Sequence, residues 1–197
     1  MNMRKIIVSE FVTLDGVMQA PGGAEEDMDD GFAHGGWTGP YWHDDIGVNI
    51  FEELSQADTL LLGRKTWQTH GEAFESAPAD DPFAGVLNNM RKYVVSTTLK
   101  SADAWRNSTI ISENVVEEVR KLKEESGKDI YVDGSSVLVH TLAEADLVDE
   151  YHLLVFPLVL GSGKQVFPDG YHAGLKLLET KAFPSGVILL RYQPDRK

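Results

Sequence analysis

Three short stretches combine glycine, hydroxyls and, in one case, adjacent cations in a way that could hold an anion. In Leu60 to Trp67, LLLGRKTW, an apolar run stops at Gly63 and gives way to Arg64, Lys65 and Thr66. A strand ending at Gly63 and a helix starting after it would present free backbone N–H groups, a positive dipole end and two cations, which is phosphate chemistry. Gly63 lets the backbone approach closely, and Thr66 can cap the helix or bond a phosphate oxygen. The bland alternative is an ordinary strand-to-helix turn with exposed basic residues. In Tyr93 to Lys100, YVVSTTLK, the hydroxyls of Ser96, Thr97 and Thr98 follow an apolar run. They suit phosphate or ribose, and they also suit simple turn chemistry. In Asp129 to Leu138, DIYVDGSSVL, Gly134, Ser135 and Ser136 open a second candidate anion site at a helix start. Parallel strands would bring all three turns to one edge, where open α/β sheets bind ligands.

Other chemistries fail on spacing. The GSGK of Gly161 to Lys164 lacks the earlier glycine of a Walker loop, because Leu158 stands there, and Gln165 follows the lysine. DGSSV fails a nucleophile elbow at both flanks. His70-Gly71-Glu72 matches part of a zinc deaminase signature, but the required cysteines are absent. The six histidines show no metal-ligand spacing, so no metal site is expected.

The elements that must position these turns read as short β-branched or apolar runs. Strands are predicted at Ile6–Val12, Thr59–Leu62, Tyr93–Ser96, Thr109–Ile111, Ile130–Val132, Glu150–Phe156 and Gly186–Tyr192. Helices are predicted at Asp45–Ser55, Asn114–Ser126 and Ser135–Ala143. Asn114 with Glu117 three residues on reads as a capping start, and Ser135 or Ser136 as the cap of the last helix. Strands alternating with helices imply crossover connections and a largely parallel sheet. The strand–turn–strand rhythm after Val148 implies an antiparallel end. Met18 to Tyr41 is a long glycine-rich, acidic loop with aromatic residues. Two uses are open for it, and both can hold: a surface loop pinned by Trp37 and Trp42, or a lid over a substrate. Glu25, Glu26, Asp27, Asp29 and Asp30 read as a solvated acidic loop in preference to a cation site.

The chain of 197 residues is long enough for one domain with a substantial core. Its net charge of −13 argues against nucleic acid and against anionic membranes. It still permits a local basic pocket for a small anion. With no cysteine, disulfides, thiolate metal sites and cysteine nucleophiles are excluded. The longest apolar run, LLVFPLVL, is far short of the roughly 20 residues of a membrane span. A cytoplasmic protein is the expectation.

SEFVTLDG at Ser9 to Gly16, LLLGRKTW, YVVSTT, IYVDGSSVL and FPLVLGSGKQVF at Phe156 to Phe167 appear in an order that resembles the dihydrofolate reductase superfamily. The similar branch is the C-terminal reductase domain of the bifunctional riboflavin-biosynthesis deaminase–reductase, and the resemblance spans nearly all of residues 1–197. It implies an α/β, dihydrofolate reductase-like three-layer fold with a mixed, mostly parallel sheet, an antiparallel C-terminal end and flanking helices. It implies NADPH as hydride donor, a small heterocyclic or ribityl-like substrate and a homodimer. On it, Gly63, Arg64, Lys65 and Thr66 would hold the pyrophosphate and 2′-phosphate region. Ser96 and Thr97 would sit by the adenosine ribose and its phosphate, and Gly134, Ser135 and Ser136 would meet the pyrophosphate from the other helix. Asp15 and Gly16 would face nicotinamide and substrate, with Asp15 either the proton donor or a turn residue; Trp37 and Trp42 are the candidate substrate aromatics. The family is glycine-rich at the turn occupied by Asp133 and Gly134, so the Asp133 charge must point away from a bound phosphate. True dihydrofolate reductases carry a helix carboxylate that falls at Gly47 here, which disfavours folate. A non-catalytic nucleotide-binding or interaction module on the same fold is the alternative.

Overall fold

The computed structural model describes residues 3–78 and 80–196. β1 (Ile6–Thr13), β2 (Ala57–Gly63), β3 (Arg91–Val95), β4 (Ser108–Ile111), β5 (Asp129–Asp133), β6 (Glu150–Phe156), β7 (Leu175–Ala182) and β8 (Ile188–Pro194) form one eight-stranded sheet. The helices are α1 (Asp44–Ser55), α2 (Arg64–Phe74), α3 (Pro82–Asn89), α4 (Val115–Glu124) and α5 (Ser136–Glu144). The strand order is β4-β3-β2-β5-β1-β6-β8-β7. The first six are mutually parallel, and β8 and β7 close the sheet antiparallel. This is the three-layer architecture with an antiparallel end expected from the sequence.

The continuous apolar runs follow from burial on both faces. Leu61 of β2 joins Ile6, Val8, Ile130 and Val132 in a core under α4 and α5, where Val119, Leu122, Leu138 and Leu142 pack. Leu60 and Leu62 point the other way, with Ile7, Tyr131, Trp67 and Leu87, under α1, α2 and α3. A third cluster of Val17, Phe32, Trp37, Ile46, Leu154 and Phe156 anchors the long loop to the sheet.

Two predicted caps differ from expectation. Asn114 occupies the cap position of α4 in a left-handed conformation, and its side chain makes no capping bond. Ser135 precedes α5, also left-handed and also without a capping bond. Helix α3 was not legible because it is short and begins after a loop of alanine, proline and aspartate; Asp81 caps it by accepting from Ala84 N–H.

Away from the turns, a charged chain crosses a cleft of about 450 Å³. Lys5 pairs with Glu150 at 2.6 Å, and Glu150 accepts from His152 Nε2 at 3.0 Å. His152 Nδ1 lies 3.2 Å from Glu53, an ion-pair contact too oblique for a hydrogen bond. Arg191 joins Glu53 to Glu179 at 2.8 and 2.6 Å. Burial opposes the charge on His152, but the carboxylates of Glu150 and Glu53 outweigh it and hold the imidazole pKa above 6.5.

Candidate functional site

Strands β2 and β5 are neighbours, yet their following helices leave to opposite faces. Trp67 of α2 enters one core, and Leu138 and Leu142 of α5 enter the other. That divergence is a topological switch point, where α/β sheets open a crevice beyond their carboxyl ends. A cavity of about 870 Å³ lies there. Gly63, Arg64, Lys65 and Thr66 line it from the start of α2, and Gly134, Ser135 and Ser136 from the start of α5.

The two turns are knitted together. Gly63 N–H donates to Ser135 Oγ at 2.9 Å, and the Thr66 and Ser135 hydroxyls are 3.0 Å apart. A Cβ on Gly63 would collide with the Ser135 side chain, so glycine is required for this approach. Helix α2 has no side-chain cap because Gly63 precedes it, and α5 has none because Ser135 is spent across the turn. The first-turn N–H groups of two helices therefore face one cavity, an arrangement suited to an anion.

Asp133 lines the cavity, where its charge was expected to point away, but that charge is paired. Its carboxylate lies 2.8 Å from His70 Nε2, while His70 Nδ1 lies 3.0 Å from the Thr66 carbonyl. A carbonyl only accepts, so Nδ1 carries a proton; the carboxylate at Nε2 favours a second. Burial works against the imidazolium, but Asp133 prevails and raises the pKa. The sequence assigns His70 no site role, and the partner that gives it one is 63 residues away.

The acidic loop behaves unlike a solvated tail. Lys65 Nζ pairs with Asp27 at 2.8 Å and Asp29 at 2.6 Å, and Lys164 pairs with the same two carboxylates. Asp27 and Asp29 also line the cavity. Trp37 is buried, donates to the Gln19 carbonyl at 2.8 Å and meets Phe156 edge-on. The loop is thus pinned by an aromatic anchor at one end and covers the cavity with its acidic part.

Other expected residues lie off the cavity lining. Asp15 accepts from the Thr13 hydroxyl and from the Leu160 and Gly161 N–H groups. These bonds, the Thr13 hydroxyl first, lower its pKa, so it fastens a loop and is poorly placed to donate a proton. Gly16 turns the chain at φ +82° beside it. Trp37 is structural, as above. Trp42 is 46% exposed and packs on Phe11, which does line the cavity. Ser96 accepts from the Thr98 and Leu99 N–H groups, and Thr97 is exposed beyond Val95, the residue of β3 that reaches the cavity. At Gly47, a Cβ would meet the Trp42 ring at 3.6 Å.

Fold and site together define a dihydrofolate reductase-like α/β protein. Over residues 4–189 the chain matches the RibD C-terminal domain, and it belongs to that family. It is 33% identical to the uncharacterized protein YyaP of Bacillus subtilis over 98% of this chain and 96% of that protein. A pyrimidine reductase-like protein from Corynebacterium diphtheriae superposes with a TM-score of 0.68 at 15% identity, covering 100% of this chain and 94% of that one. Dihydrofolate reductase from Enterococcus faecalis, in complex with NADP(H) and RAB-propyl, gives 0.62 at 16% identity, covering 98% and 97%. At these identities the two structures share the fold.

Proposed function

We propose that this protein is an NADPH-dependent reductase that passes hydride to a small heterocyclic or ribityl-like substrate, in the manner of a 5-amino-6-(5-phosphoribosylamino)uracil reductase. The observation that carries this reading is the pair of uncapped helix starts, α2 and α5, joined by Gly63, Thr66 and Ser135 at one cavity. The cavity volume lies within the roughly 300–1,000 Å³ typical of small-molecule sites. Backbone N–H groups of Arg64 to Thr66 and of Ser135 and Ser136 would hold the pyrophosphate. Arg64 and Lys65 would answer the remaining phosphate charge, and Thr97 the adenosine end. NADPH, when bound, supplies the hydride; the chain binds it, orients it and excludes water. Phe11 and Met18 give the rest of the wall an apolar surface. A small-molecule substrate and a second copy of the chain are the partners this reading implies. The exposed Leu177, Leu178 and Ile188 on the last two strands support the second.

The test is NADPH oxidation by the purified protein across a panel of pterins and 5-amino-6-(5-phosphoribosylamino)uracil. Turnover of at least one member is expected. Saturable NADPH binding without turnover of any would favour the non-catalytic nucleotide-binding reading.

A further inference from the structure

Glu10, on β1, lines the same cavity yet is only 5% exposed. One carboxyl oxygen, Oε2, accepts from Gly134 N–H at 3.1 Å. The other, Oε1, is shielded from water and has no hydrogen-bond partner. A buried carboxylate with a single N–H donor would be costly to leave charged. The groups that face it make this worse. Asp133 on β5 is a like charge, Tyr131 on the same strand carries none, and the imidazole of His70 on α2 is paired with Asp133. Burial first, and then the Asp133 charge, raise the Glu10 pKa well above the ordinary glutamate value. A neutral Glu10 resolves the conflict. Its carbonyl-like oxygen accepts from Gly134, and its O–H is left without an acceptor until a ligand brings one.

We propose that Glu10 is the proton donor of the reaction, giving its proton to a carbonyl oxygen or imine nitrogen of the substrate. This rests on the reductase reading above. Hydride from the reduced nicotinamide adds to the carbon of a C=O or C=N bond, and the heteroatom takes the proton from Glu10 as the π bond breaks. The products are the CH–OH or CH–NH compound, oxidised nicotinamide and the Glu10 carboxylate, which recovers its proton from a water that enters the cavity as the product leaves. The substrate class is thereby narrowed to compounds reduced at a carbon–heteroatom double bond.

Two measurements separate this proposal from the reading beneath it. With glutamate labelled at the side-chain carboxyl carbon, NMR of the ligand-free protein should show one resonance at the protonated position at neutral pH. That resonance should vanish in the isosteric Glu10→Gln variant, whose fold is checked by circular dichroism. A Glu10 resonance at the ionised position would overturn the proposal and leave the cofactor site intact. In single turnovers with NADPH and 5-amino-6-(5-phosphoribosylamino)uracil or a dihydropterin, Glu10→Gln should slow reduction by about 10²- to 10⁴-fold. NADPH affinity should be unchanged, the alkaline limb of the rate profile should be lost, and Glu10→Asp should recover part of the rate. An unchanged rate and profile in Glu10→Gln would overturn the assignment. No turnover by the wild-type protein would overturn the reductase reading and the proton transfer with it.

Discussion

His70 is the residue whose role depends most on its surroundings. Its imidazolium neutralises Asp133 in the lining of the cavity. His70→Gln should therefore expose the carboxylate and weaken NADPH by about tenfold, equivalent to ~1.4 kcal/mol, read by calorimetric titration. In the wild-type protein, affinity should be highest while His70 is charged and fall as pH rises through its raised pKa. A pH-independent affinity, or an unaltered one in His70→Gln, would contradict this. Arg64→Ala and Lys65→Ala should each weaken NADPH more than NADH, because only NADPH carries the 2′-phosphate. Equal losses for the two cofactors would remove that assignment. Gly63, Thr66, Gly134, Ser135 and Ser136 were legible from sequence because glycine and hydroxyls after an apolar run mark such turns. Glu10 and His70 were not, since one lies inside a strand and the other inside a helix, and nothing local marks either.

At the scale of elements, the loop from Met18 to Tyr41 is a strap. Its carboxylates at Asp27 and Asp29 occupy Lys65, a cation that a phosphate would also use. Strap and cofactor should therefore compete. Asp27→Asn combined with Asp29→Asn should tighten NADPH binding several-fold at low salt, with the difference shrinking as salt screens the pairs. Weaker binding in the double variant would show that the strap helps to hold the cofactor. The strap's length and aromatics were visible in the sequence. The ion pairs were invisible, because Lys65 and Lys164 lie 38 and 137 residues from Asp27.

At the scale of the whole molecule, the alternation of strands and helices foretold the mixed sheet, and the apolar runs foretold its two buried faces. What alternation alone does not give is the strand order, and with it the divergence of α2 and α5 that opens the cavity. The charged chain through Lys5, Glu150, His152, Glu53 and Arg191 ties α1 to β6, to β8 and to the residue that leads into β1. Its histidine has a folded-state pKa above the ordinary 6.5, so its stabilisation is complete below that value and is lost as pH rises through the raised one. His152→Gln should lower the melting temperature most in mildly acidic buffer and least in alkaline buffer; a difference that grows with pH would refute the clamp. The account stands on two helix starts forming one dinucleotide cradle, and backbone amide NMR during NADPH titration tests that most directly. Saturable shifts concentrated at Gly63–Thr66 and Gly134–Val137 are expected together. Shifts confined to one turn, or gathered around the cleft of His152 and Arg191, would contradict it.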